Sequence, residues 1–305
     1  MKFKISEYLI LWLQINQPTV EGEIYKIENP VSTFLKKTGT IKLSDGYKIP
    51  YNKENKEDVL RLVAYALLNG IKFGGENGWK YDSKNGIVEM HQGIKLKIKG
   101  LMLIDETFLY QIHFCGFDLK GRTVITAGAF IGDTPLFYSF YGAKVYGFEP
   151  DPRSYKLAKE NVELNQKLSE NIVLKNYAIG KDEIIEFPLN NNGSSGSSIY
   201  KTIQNSVSVK SVSISTILNE FTISEPYLLD LDIKGSEFDV IEQDSIKQFH
   251  KVRIEYSPYL IKSESRSLEY LIRKLKSYGY SKIRVYKHSH ARFALSTHGT
   301  IEAEK

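Results

Sequence analysis

From Val124 onward, short apolar runs alternate with amphipathic stretches of helical period. Val145 to Phe148, Ile172 to Leu174, Tyr227 to Leu231 and Val252 to Tyr256 read as strands. Between them, apolar residues recur three and four apart, as they do on a helix with one buried face. Leu157, Ala158 and Val162 form one such face, behind an Asp151-Pro152 helix start. Leu268, Leu271, Ile272 and Leu275 form another, on a helix from about Ser265 to Tyr278 that exposes Arg273, Lys274 and Lys276 and stops before Gly279. Regular strand and helix alternation predicts the α/β fold class, with a Rossmann-like parallel sheet and helices on both faces.

The first 114 residues lack that alternation and read as a smaller α+β domain, an accessory unit ahead of the larger domain at 115–305. Ile41 and Leu43 alternate with polar residues before Asp45-Gly46, and Tyr47 and Ile49 resume the alternation, which predicts a β-hairpin. A second hairpin is predicted around Gln92-Gly93. Between the two, Val59, Leu60, Val63, Ala66 and Leu67 keep helical spacing and Gly70 supplies a stop. The apolar run Tyr8 to Trp12 reads as a packed helix, because Gln14 and Gln17 follow it and no small-residue cleavage site is evident.

Composition narrows the function classes. The chain has 305 residues, enough for both domains, and its 41 basic against 36 acidic side chains give too diffuse an excess to demand a nucleic-acid partner. The lone cysteine, Cys115, excludes an internal disulfide and a cysteine zinc site, so a cytoplasmic setting is expected. No stretch has the length of a membrane-spanning helix. His288-Ser289-His290 lacks neighbouring acids or thiols, so no metal is expected.

The segment Val124-Ile125-Thr126-Ala127-Gly128-Ala129-Phe130-Ile131-Gly132-Asp133 leads through a helical stretch to Val145-Tyr146-Gly147-Phe148-Glu149. The order is strand, glycine turn, helix, strand, acid. Gly128 and Gly132 let the chain turn off the first strand and approach a ligand closely, and the next helix presents its N-terminus there. Glu149 follows Gly128 by about 20 positions, the spacing of an acid that accepts both ribose hydroxyls of an adenosine cofactor. The glycines lack the GxGxxG spacing of a pyrophosphate site, which disfavours a nicotinamide-dependent oxidoreductase. The strand that ends Asp230-Leu231-Asp232 brings two further acids to the same edge of the sheet. Strand alternation places them on one face, where buried carboxylates need a polar or positive partner.

Gly128-Ala129-Phe130-Ile131-Gly132-Asp133-Thr134, Phe148-Glu149-Pro150-Asp151-Pro152, Asn161-Val162-Glu163-Leu164-Asn165, Leu231-Asp232-Ile233-Lys234-Gly235-Ser236-Glu237 and Arg253-Ile254-Glu255-Tyr256 together resemble the FkbM-type methyltransferases, over about residues 121 to 258. The resemblance implies a class I methyltransferase sheet, S-adenosyl-L-methionine as cofactor, and O-methylation of a hydroxyl on a carbohydrate-like or other small acceptor. It implies cofactor contacts from Thr126, Gly128, Ala129, Phe130, Gly132, Glu149, Pro150, Asp151 and Asp230. It makes Asp232 the acceptor contact or base and Glu237 a substrate contact. The small-residue loop Asn190 to Ser198 resembles the family's loop between its early and late strands; it reads first as a flexible surface loop, with a place beside the acceptor as the alternative. Two positions depart from the pattern. Thr126 stands where the family carries an acid that helps hold the methionine amino group, and Lys234 stands where an acid is typical. A methyltransferase-like binding module without turnover is the alternative reading these departures leave.

Overall fold

In the computed structural model, residues 19–20, 23–24, 26–68, 70–90, 92–97, 107–108, 118–189, 205–258, 266–286 and 299–305 are described. Two compact units divide the chain, Met1–Asp105 and Glu106–Lys305. The Tyr8 to Trp12 run, Cys115, the Asn190 to Ser198 loop and the His288-Ser289-His290 motif lie outside the described residues.

The first unit contains strands β1 (Thr19–Val20), β2 (Glu23–Ile24), β3 (Gly39–Lys42), β4 (Lys48–Tyr51), β5 (Lys80–Asp82), β6 (Ile87–Glu89) and β7 (Lys95–Lys97), with helices α1 (Pro30–Leu35) and α2 (Lys56–Leu68). Both predicted hairpins form. Strand β3 pairs antiparallel with β4 across the Asp45-Gly46 turn, and β6 pairs antiparallel with β7. Helix α2 buries Val59, Val63, Ala66 and Leu67, and Gly70 closes it in a left-handed conformation at φ 70°.

The second unit is built on a seven-stranded sheet in the order β10-β9-β8-β14-β15-β17-β16. Its strands are β8 (Thr123–Ala127), β9 (Lys144–Phe148), β10 (Ile172–Lys175), β14 (Pro226–Leu231), β15 (Lys251–Tyr256), β16 (Lys282–Tyr286) and β17 (Gly299–Glu304). Strands β10, β9, β8, β14 and β15 run parallel, as expected. The sheet is nevertheless mixed, because β17 enters antiparallel between β15 and β16. The sequence signal for β17 is faint: Thr300 and Glu302 alternate with Ile301 and Ala303, and these polar side chains are buried. Counted within the sheet, the order is 3-2-1-4-5-7-6, the topology of a class I methyltransferase fold.

One face buries Ile125, Ala127, Leu229, Leu231, Val252, Ile254 and Ile301 in a continuous apolar core with residues of α6 (Ile214–Glu220), α7 (Glu237–Val240) and α8 (Leu268–Ser277). The opposite face receives α3 (Asp133–Phe140) and α4 (Pro152–Glu163), while α5 (Gln166–Ser169) packs at the β10 side. Asp151 caps α4 by accepting from Arg153 N–H at 2.9 Å, with Pro152 in the first turn. Ser267 caps α8, and Gly279 ends it at φ 91°. Beside the main sheet, β11 (Ala178–Ile179), β12 (Glu183–Pro188) and β13 (Ser206–Val212) form a small three-stranded sheet. Among the described residues, no helix is long and apolar enough to cross a membrane.

Candidate active site

All the parallel strands end at one edge of the sheet, where a cavity of about 290 Å³ opens. The turn after β8 forms its floor. Gly128 and Gly132 adopt φ 87° and 85°, and Phe130 between them adopts φ 44°, a region side-chain-bearing residues rarely enter. Gly128 is required sterically as well, because a Cβ there would lie 2.2 Å from the carbonyl oxygen of Asp232. The turns after β8 and β14 therefore meet backbone to backbone, which only glycine permits.

Glu149 stands at the tip of β9 and joins this turn to the next. Its Oε2 accepts from Phe130 N–H at 2.8 Å and its Oε1 from Asp151 N–H at 2.9 Å. Burial pushes this carboxyl up to about 8, and the two N–H donors pull the other way. Asn176 braces the corner from the turn after β10: its Nδ2 donates to the carbonyls of Glu149 and Pro150 at 2.7 and 3.0 Å. Asp151 also grips Arg153, at 2.6 Å.

Gly128, Phe130, Glu149, Pro150, Asp151 and Asp232 all line the cavity. Ala129 and Gly132 shape the turn without lining it, and Ala129 N–H donates to Phe148 O at 3.0 Å. Thr126 and Asp230 lie one pleat deeper. Both are buried, and Asp230 is held by Arg253 Nη1 at 2.6 Å and by the Tyr138 hydroxyl at 2.8 Å. Asp230 and Asp232 are thus separated in depth: β14 ends at Leu231, and Asp232 stands beyond the strand end. Glu237, expected from resemblance to touch substrate, is turned inward and 0% exposed. Its two oxygens accept from Gly235 N–H at 2.5 Å and Ser257 N–H at 2.6 Å. Burial pushes its carboxyl up to about 7.

Lys234 does not present a lone cation to the cavity. Its Nζ lies 2.6 Å from Asp232 Oδ1 and 2.6 Å from Glu255 Oε1, so two carboxylates neutralise it. Asp232 is pushed upward by burial and by Glu255, against the pull of Lys234 and Arg253.

Sequence reasoning missed several lining residues: Tyr177 through Lys181 after β10, and Glu183, Ile185, Phe187 and Ser211 from the β12–β13 hairpin. The first group was within reach, since it begins just beyond the predicted Ile172 to Leu174 strand and open ligand sites sit at the carboxyl ends of such strands. Nothing local marks the hairpin, whose pairing runs between residues about twenty apart or more. Among the described residues, no group of three or more His, Cys, Asp or Glu is placed to hold a metal ion.

The donor set suits a cationic ribonucleoside. A buried carboxylate sits at the strand tip for a diol, Phe148, Tyr177 and Ile179 offer apolar and aromatic walls for a base, and Asp232 offers negative charge. Comparison with known proteins bears on the same region. The family described as "Methyltransferase FkbM domain" matches residues 127–282, just over half of the chain. No curated protein matches the sequence. Among solved structures, the METTL16 MTase domain (crystal form 2) is similar at 13% identity, with 90% of this chain and 88% of that one covered and a TM-score of 0.45. M. jannaschii TYW2 in complex with AdoMet is similar at 15% identity, with 76% and 87% covered and a TM-score of 0.41. The human methyltransferase 10 domain containing protein is similar at 15% identity, with 70% and 88% covered and a TM-score of 0.42.

Proposed function

Because the chain belongs to the FkbM methyltransferase family, whose methyl donor is S-adenosylmethionine, we propose that it is an active O-methyltransferase acting on a hydroxyl of a carbohydrate-like or other small acceptor. The observation that carries the reading is the Glu149 corner, where one buried carboxylate is aimed by Phe130 and Asp151 N–H groups at the wall of a cavity also lined by Asp232.

Glu149 holds the ribose diol, and Gly128, Phe130, Pro150 and Asp151 shape the surround. Bound S-adenosylmethionine would supply a methyl group on a sulfonium, and transfer to the acceptor would break one S–CH₃ bond, form one O–CH₃ bond and release the hydroxyl proton. Asp232 takes that proton. The hydroxyl becomes far more acidic as the new bond forms, so a carboxylate is base enough, and most of the acceleration comes from alignment. Glu237 acts through the main chain, fixing the turn on which Asp232 sits. Thr126 offers no charge for the methionine ammonium, and Asp232 is the lining carboxylate beside Gly128 that supplies the negative field there.

The test is incubation with S-adenosylmethionine carrying a labelled methyl group and a panel of sugars and other hydroxylated small molecules. The expected result is label transferred to an acceptor oxygen, lost in Asp232→Asn with folding intact. Binding of the cofactor without transfer to any acceptor class favours the inert-module reading.

A further inference from the structure

The turn after β14 carries a residue that the family pattern does not predict, in a conformation the chain would not adopt freely. Lys234 has φ 45°, left-handed for a side-chain-bearing residue, and Gly235 follows at φ 107°. Such backbone persists only where its surroundings fix it. Two sets of contacts do so. Toward β8, Asp232 N–H donates to Ala127 O at 3.0 Å, with the Asp232 carbonyl over Gly128. Toward β15, Lys234 reaches Glu255, and Glu237 ties Gly235 N–H to Ser257 N–H.

Among the described residues, the charged groups that bear on Asp232 include Lys234 on its own turn, Glu255 and Arg253 on β15, and Glu149 just past the end of β9. Glu255 and Glu149 are carboxylates. With Lys234 removed, Asp232 and Glu255 would face each other as like charges in a buried site, and one would have to hold a proton. A cation 2.6 Å from both eases that conflict and favours the ionised form of Asp232, against the burial and the Glu255 charge that push it the other way.

We infer that Lys234 is a positioning residue, which keeps Asp232 ionised at the cavity wall and pins the Asp232–Glu237 turn to the end of β15. The acid typical of the family at this position would have the opposite effect here, because Glu255 already supplies a negative charge. The inference rests on the role proposed for Asp232, but its test does not require methyl transfer.

That test is a carboxyl-carbon NMR titration of protein labelled at aspartate, with the Asp232 signal assigned by its loss in Asp232→Asn. In Lys234→Met the Asp232 midpoint is expected to rise by about one pH unit or more, a tenfold change in proton affinity, and in Lys234→Arg most of that rise should disappear. Glu255→Gln should move the midpoint down, and it serves where Lys234→Met fails to fold. A midpoint unmoved in folded Lys234→Met, or unmoved in Glu255→Gln, overturns the inference. Failure of the methyltransferase reading would register separately, as absence of S-adenosylmethionine binding to the unaltered protein.

Discussion

Arg253 and Asp230 stand side by side on neighbouring strands β15 and β14, joined at 2.6 Å, with exposures of 0% and 1%. The pair belongs to a row across the sheet: Thr126 opposes Asp230, Asp230 opposes Arg253, and Arg253 opposes Glu302. Beneath the Glu149 corner the sheet is therefore held by charge as well as by apolar packing. Arg253→Met removes the cation from a buried carboxylate that also accepts from the Tyr138 hydroxyl. Loss of one partner from a buried pair costs about 3 to 5 kcal/mol, and that loss should appear as a lowered denaturant midpoint.

The same row decides what Thr126→Asp would do. An aspartate at this position would set a second carboxylate directly beside Asp230 in a buried position. The expected outcome is a less stable protein, by about 1 to 3 kcal/mol on denaturant unfolding, with no gain in cofactor affinity.

Gly128→Ala tests the meeting of the two turns. The added Cβ would stand 2.2 Å from the Asp232 carbonyl oxygen, at φ 87°. Strain of this kind costs about 1 to 3 kcal/mol, and displacement of either turn moves a lining residue. Cofactor affinity measured by calorimetry should fall about tenfold or more, with the fold retained by circular dichroism.

Glu149 predicts a pH dependence of both stability and binding. Its folded value is raised from 4.5 to about 8, so its contribution to stability is complete below about 4.5 and is lost as pH rises through about 8. Glu149→Gln should match the unaltered protein in thermal stability in acid and exceed it at about pH 9. Ligand hydroxyls that donate to the carboxylate favour its ionised form, so cofactor affinity should rise as pH increases through about 8. That rise should be absent in Glu149→Gln.

How much was legible depended on whether the signal was local. The glycine turn and Glu149 could be read because a turn, a helix and one strand fix their spacing, and β8, β9, β10, β14 and β15 could be read from their apolar runs. Strand β17 could not, because Thr300 and Glu302 make it look solvent-exposed until pairing with β15 and β16 buries them. Asp230 and Asp232 look equivalent as letters in one strand. They separate only when the strand end falls between them and Arg253, 23 residues later, takes the first. Lys234 reads as a departure until Glu255, across the next strand, supplies the second carboxylate that a cation there can serve.

Binding of S-adenosylmethionine at the Glu149 corner is the premise on which the proposed function stands. Calorimetric titration of the purified protein with S-adenosylmethionine, its demethylated product and NADH, repeated on Glu149→Ala, tests it most directly. Saturable binding of the first two and none of NADH is expected, with affinity in the variant reduced about ten- to hundredfold, the loss of a charge-assisted contact. Unreduced binding in a folded Glu149→Ala protein, or binding of NADH alone, would contradict it.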